Sequence, residues 1–225
     1  MTRAESKARN SFEKTEKAYR KHISKKYGWK QSDYINWKII SDYFFCLYHL
    51  TLESAFIEVK PLFVDDLWWD IFEMPENKQA PKSLRGLGAF AVSGVKLKEY
   101  SVFDSQRLSD YSEDEINKIW DNLFRNVEQD VADFLKEYPV AESFLPYDEQ
   151  KYGKVNPIYS LMMDIYSGNA DKALERINSY KSCGKGSGYS GPKGDAFDYI
   201  AEWCKKRVKS NTFEHLLKWC KNKLQ

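Results

Sequence analysis

Between Tyr34 and Phe63 the apolar residues repeat every second position, and this limits what the chain can fold into. Ile35, Trp37 and Ile39 alternate with Tyr34, Asn36 and Lys38, the repeat of a half-buried strand. Ser41-Asp42 reads as a turn, Tyr43 to Leu52 as a second strand, Glu53-Ser54 as another turn, and Ala55 to about Phe63 as a third strand. Turns this short leave no room for the crossover that parallel strands need, so the three form an antiparallel meander. Gly88 to Phe103 reads as one or two further strands broken near Gly94, giving a sheet of four or five strands.

Around this sheet the period is helical. Phe12, Tyr19 and Ile23, with Ala8, fall on one side of a helix over about residues 4–26, while Arg3, Lys7, Lys14, Lys17, Lys21 and Lys25 gather on the other. Gly28 offers its stop. Asp65 to Phe72 predicts one or two helical turns ended by Pro75, and Met74 to Arg85 an irregular loop. Ser112 and Glu115 form a capping-box pattern ahead of Ile116, Ile119, Trp120, Leu123, Val127, Val131, Phe134 and Leu135, a long helix that Pro139 stops. Asn156-Pro157 opens a helix through Ile165, Gly168 ends it, and a second helix over about Ala170–Tyr180 completes a hairpin. Two more helices are expected near Asp195–Val208 and Thr212–Leu224. The expected fold class is α+β: an N-terminal helix, an antiparallel meander sheet of 4–5 strands, a long helix and C-terminal helical hairpins. Residues 1–138 are expected as an α+β domain and 139–225 as a helical region packed on it, with a glycine-rich hinge at 183–194.

A chain of 225 residues, 16% aromatic and 30% charged, can bury a core without metal or disulfide support and is expected to be globular and soluble. The first thirty residues lack an apolar signal core, and no run of eighteen apolar residues occurs, so neither a secretory signal nor a membrane span is expected. The cytoplasm is the expected location, and Cys46, Cys183, Cys204 and Cys220 are expected to stay thiols. The net charge of +2 is unevenly divided: residues 1–30 hold ten Lys/Arg against three Glu, residues 203–225 seven against one, and the middle eighteen against twenty-nine acids. Such a division points to termini packed over an acidic body or to separate faces for partners of opposite sign.

Several motifs bear on chemistry. The stretch CGKGSGYSGPKGD, Cys183 to Asp195, lacks the G-x-x-x-x-G-K-[ST] pattern of a phosphate loop and follows a helix rather than a strand, so it reads as a mobile connection. Lys185 and Lys193 leave it some anion affinity. Cys183, Cys204, His215 and Cys220 have zinc-binding chemistry, but no C-x-x-C knuckle joins them, so no metal and no cofactor is expected. His22, His49 and His215 carry no nucleophile signature around them.

Glu58-Val59-Lys60 matches the E-x-K half of a metal-dependent nuclease motif, in which the carboxylate holds a metal and the lysine supports the attacking water. A tight turn at Glu53-Ser54 would set Glu58 opposite His49 and Asp42 near Asp65, leaving Asp42 roughly 20 Å from Glu58 at about 3.3 Å per residue. Shared metal ligands must converge within about 5 Å. The pair therefore reads first as part of a solvated sheet face, with Glu58 and Lys60 kept as an alternative catalytic pair. The same register gathers Asp42, Asp65, Asp66 and Asp70 around Trp68, an acidic and aromatic surface suited to a basic protein partner. Lys14, Lys17, Lys21 and Lys25 would suit the phosphates of a nucleic acid, although the helix's aromatic residues occupy its other face.

A helix, then a meander containing VKPLFVDDLWWDIF followed by SLRGLGAF, then a helical tail resembles a loose set of uncharacterised bacterial α+β proteins, some of them toxin-immunity-like. The resemblance covers about residues 10–103, rests on arrangement plus the Asp/Trp-rich stretch, and carries no catalytic residues. It implies a non-enzymatic protein that works by binding a protein partner and neutralising a toxin. The alternatives are the nuclease and a nucleic-acid-binding module led by the first helix.

Overall fold

The computed structural model describes residues 3–88, 90–152, 156–192 and 194–208. In chain order the elements are α1 (Arg3–Lys26), β1 (Lys30–Ser32), β2 (Ile35–Ile40), β3 (Tyr43–Tyr48), β4 (Ser54–Pro61), α2 (Leu62–Ile71), β5 (Val95–Ser101), α3 (Glu113–Glu137), α4 (Phe144–Tyr152), α5 (Pro157–Tyr166), α6 (Ala170–Ser182), β6 (Ser190–Gly191), β7 (Gly194–Asp195) and α7 (196–208). The class is α+β, with the five strands β1 to β5 antiparallel in sequence order and β6–β7 a separate hairpin. The helix expected over Thr212–Leu224 lies outside the described residues. Among the described residues no helix is long and apolar enough to cross a membrane.

The chain divides into two compact units, residues 3–62 with 81–144 and residues 63–80 with 145–208. In the first, β3 is the central strand, and its residues from Tyr43 to Leu47 are all buried, so both sheet faces are covered. Tyr43, Phe45 and Leu47 point to the α3 side, where the Phe134 ring meets Tyr43 and Phe45 edge-on at 5.1 and 5.8 Å. Ile35, Trp37, Phe44 and Cys46 form a second cluster on the opposite face, with Tyr48 and Leu62 packed against it. The irregular segment 81–94 covers that face. A Cβ built on Gly86 would stand 2.9 Å from Ile35 and 3.0 Å from the Cys46 sulfur, so any larger residue would have to push these side chains aside. The Tyr48 hydroxyl donates to the Gly86 carbonyl at 2.9 Å. The face expected to be solvated is therefore interior.

Helix α3 begins with the capping box read from the sequence: Glu115 N–H donates to Ser112 Oγ at 3.3 Å and Ser112 N–H to Glu115 Oε2 at 2.8 Å. Helix α1 lays its apolar stripe along α3. Phe12 and Ile23 are buried, Phe12 meets Phe103 edge-on at 5.1 Å, Tyr19 donates to Glu113 at 2.7 Å, and Tyr27 stacks on Phe124 at 6.0 Å.

In the second unit Asn156 caps α5 by accepting from Ile158 N–H at 2.9 Å, with Pro157 at the first helical position. Gly168, at φ +81°, turns the chain into α6. Asp164, 6% exposed, holds the hairpin by pairing with Lys172 at 3.0 Å and Arg176 at 2.8 Å.

Four details differ from the sequence reading. The β3–β4 connection is a loop over residues 49–53 instead of a two-residue turn, which slides the register by three residues: Glu58 faces Cys46, not His49. Asp42 correspondingly stands opposite Leu62, whose N–H donates to the Asp42 carbonyl at 2.8 Å. A short strand β1 precedes the meander, and residues 88 and 90–94 are not strand. The glycine-rich segment carries a ladder pairing Ser190 with Asp195 and Gly191 with Gly194, and the Asp195 carboxylate accepts from Ser187 N–H at 3.0 Å and from Phe197 N–H at 2.8 Å.

Phe134 is the ring that fixes α3 to the sheet, so Phe134→Ala is expected to cost about 3–5 kcal/mol of unfolding free energy. Urea titration followed by tryptophan fluorescence measures it, with the exposed Lys136→Ala as a control expected to stay within about 0.5 kcal/mol of the parent.

Candidate functional site

The acidic and aromatic cluster is not the surface that the sequence suggested. Asp65 is 0% exposed and Trp68 7%. Trp68 is stacked on Phe72 at 4.2 Å and set edge-on to Tyr189 at 5.3 Å within the second unit. Asp66 and Asp70 are half-buried, and Asp70 pairs with Lys78 at 2.6 Å. Asp42 alone is exposed, at the β2–β3 turn of the first unit. The helical spacing of Leu67, Trp68 and Ile71 carries the reason: Trp68 falls on the apolar stripe of α2 and goes inside with it.

Glu58 and Lys60 do share a sheet face, as alternation requires. Lys60 is 2% exposed, and its ammonium donates to the Arg85 carbonyl at 2.7 Å and the Val92 carbonyl at 2.5 Å, so it anchors segment 81–94 to the sheet. Glu58 Oε2 accepts from Gly94 N–H at 3.1 Å, and a Cβ at Gly94 would meet the Glu58 Cβ at 2.8 Å. Burial lifts the Glu58 carboxyl above the usual range, with Lys60 opposing. The space between the two side chains holds about 0 Å³ for a water-sized guest. Among the described residues no group of three or more His, Cys, Asp or Glu side chains is placed to hold a metal. Of the zinc-type residues, Cys183 is exposed and Cys204 buried, both as free thiols, while His215, Cys220 and also Lys193 lie outside the described residues. Burial pushes Cys46 up to about 12 and Cys204 up to about 11, which leaves both inert at neutral pH.

The lysine ridge of α1 is where the structure leaves charge unmatched. Glu13 pairs with Arg9 at 2.9 Å and Glu16 with Arg20 at 2.8 Å, both within the helix. Lys26 pairs with Asp121 of α3 at 2.5 Å. Lys14, Lys17, Lys21 and Lys25 are exposed and form no ion pair among the described residues. Arg9 and Arg20 thus take up Glu13 and Glu16, and these four lysines remain.

Beside this ridge opens a cleft of about 360 Å³ in the first unit, and Lys17 lines it. Its walls come from α1, the β1–β2 turn and the β3–β4 loop, with Trp120 of α3 beneath. Arg20 ties these parts together. It pairs with Glu16, donates to the Asp33 carbonyl at 3.3 Å and covers the Trp120 ring at 5.7 Å. At the turn, His49 N–H donates to the Tyr34 carbonyl at 3.1 Å, holding the two loops side by side. His49 Nε2 and Trp120 Nε1 are buried and have no hydrogen-bond partner among the described residues. Tyr34 and Leu50 stand at the opening, 42% and 60% exposed.

Burial, with Arg20 and then Lys17 adding to it, lowers the His49 imidazole to about 3, so it is neutral at physiological pH. Burial raises the Glu16 carboxyl, and the Arg20 guanidinium beside it opposes that rise. Sequence reading passed over this cleft because its residues come from positions 17, 20, 34, 49 and 120. One signal was present: Glu16 and Arg20 sit one turn apart inside the apolar stripe of α1, where a charged pair has to be buried.

His49 titrates higher when unfolded, near 6.5, than when folded, so acid favours the unfolded chain and the stability is lost as pH falls from about 6.5 toward 3. Glu16 and Glu58, whose values are raised, act in the opposite sense: their contribution is present at low pH and is lost as pH rises through their folded values. Between pH 7 and pH 5 the parent protein is therefore expected to lose up to about 2 kcal/mol more than a His49→Gln variant. Urea midpoints at the two pH values measure this, and equal losses would show that His49 is not held neutral.

In comparison with known proteins, no protein-family model, no curated protein and no solved structure matches the chain.

Proposed function

We propose that this chain is a non-enzymatic cytoplasmic binding protein whose partner is a nucleic acid, held through phosphate contacts by the lysine ridge of α1. The observation that carries the reading is the division of labour on α1. Glu13 and Glu16 are paired with Arg9 and Arg20, and Lys14, Lys17, Lys21 and Lys25 stay exposed and unpaired among the described residues. Successive lysines rise by about 4.5–6 Å along the helix, a regular row suited to a regular line of phosphates. Phe12 and Ile23 are already covered by α3, so α1 has no apolar face to lay into a lipid surface.

The protein-partner reading through Asp42, Asp65, Asp66, Trp68 and Asp70 has less support, because Asp65 and Trp68 are interior. The nuclease reading has less again, because the Lys60 ammonium is bonded to two backbone carbonyls. An acidic protein partner held by the same ridge is the competing outcome of the test below.

Fluorescence anisotropy with a labelled single strand of about twenty nucleotides tests the reading across 50–200 mM salt. Four phosphate contacts predict a slope of log affinity against log salt of about −2.8. Lys21→Ala is expected to reduce that slope by about 0.7, and the double variant Lys17→Glu, Lys21→Glu to abolish binding. A flat salt response, or binding to polyglutamate with none to nucleic acid, would overturn the reading in favour of an acidic protein partner.

A further inference from the structure

From the cleft beside the ridge we infer that the protein binds a single strand with one unpaired base inserted between α1 and the β3–β4 loop. The inference rests on the nucleic-acid reading above and adds where the base goes. Lys17 belongs to both the ridge and the cleft, so a phosphate on Lys17 places its own nucleotide at the cleft mouth. The volume of about 360 Å³ falls within the range of about 300–1,000 Å³ that small-molecule sites occupy.

The lining favours a base over a second phosphate. Arg9, Lys17 and Arg20 are balanced by Glu13, Glu16 and Asp33, so the cleft offers hydrogen-bond donors and acceptors with no excess positive charge. His49 adds no cation, since burial and the neighbouring Arg20 and Lys17 keep its ring neutral. His49 Nε2 and Trp120 Nε1 are closed off from the cleft and take no part in the recognition. A nucleobase edge, neutral and bearing both donors and acceptors, matches the mixed donors and acceptors of the lining.

Stacking falls to Tyr34. The Trp120 face is covered by the Arg20 guanidinium at 5.7 Å, whereas Tyr34 is 42% exposed and makes no ring contact among the described residues. Leu50, 60% exposed on the other lip, supplies an apolar edge that a phosphate would not use. Aromatic stacking of this kind is tolerant of base identity, so the site selects for single strands rather than for a sequence.

The experiment compares a fluorescein-labelled thymidine 12-mer with an abasic 12-mer carrying the same number of phosphates, at one salt concentration. The parent protein is expected to bind the base-bearing strand about fivefold or more tightly than the abasic strand. Tyr34→Ala should erase the preference while keeping affinity for the abasic strand, and Tyr34→Phe should restore it. Thermal melts establish that both variants are folded. Equal binding of the two strands by the parent, or a preference that survives Tyr34→Ala, would overturn the base site and leave the ridge standing. Binding of neither strand would overturn the ridge and the base site together.

Discussion

Burial of β3 on both faces is the constraint from which the rest of the first unit follows. A strand whose side chains point alternately up and down can be covered fully only if something packs on each side. Here α3 brings Phe134 to one face, and the helix-poor segment 81–94 closes the other through the Gly86 approach. Charged side chains from the sheet fasten segment 81–94. Lys60 holds two of its carbonyls and Glu58 one of its amides. A buried ammonium is tolerable only when hydrogen-bonded, and the Arg85 and Val92 carbonyls meet that need.

Coverage of the sheet by α3 in turn decides the orientation of α1. With its apolar stripe on α3, α1 has to turn its lysines outward, and the pairings of Glu13 with Arg9 and Glu16 with Arg20 occupy two acids that could neutralise them. Arg20 also reaches the Asp33 carbonyl and lies over Trp120, so one buried guanidinium positions the β1–β2 turn against α1 and leaves the cleft beside it. The ridge and the cleft are thus two results of the same packing. In the proposed reading, charge alone would make the ridge a general polyanion surface, and the neighbouring aromatic opening would distinguish one polymer form from another.

Much of this was legible in the residues themselves. The meander, the capping box at Ser112 and Glu115, the Asn156-Pro157 start and the lysine face of α1 all depend on neighbours a few positions apart, and each stands where the spacing put it. The register of β3 with β4 was not legible, because it depends on how many residues the connection uses. Thr51 Oγ1 lies 3.3 Å from the Ser54 N–H, which closes a longer loop than the two-residue turn that the composition suggested. The site was misplaced for a related reason. Asp42 and Trp68 are grouped by an assumed register, while Trp68 follows the stripe of its own helix into the interior.

The sequence by itself determined the class of fold, the antiparallel order of the meander and which face of α1 is basic, since local periodicity and short connections permit little else. Tertiary structure alone decided that Glu58 and Lys60 fasten a covering segment and that the Asp/Trp stretch is internal. It also decided that Lys17, Arg20, Tyr34, His49 and Trp120 share one cleft. Those outcomes depend on burial and on contacts between residues far apart in the chain, and a burial pattern exists only once the second face of the sheet has found its cover.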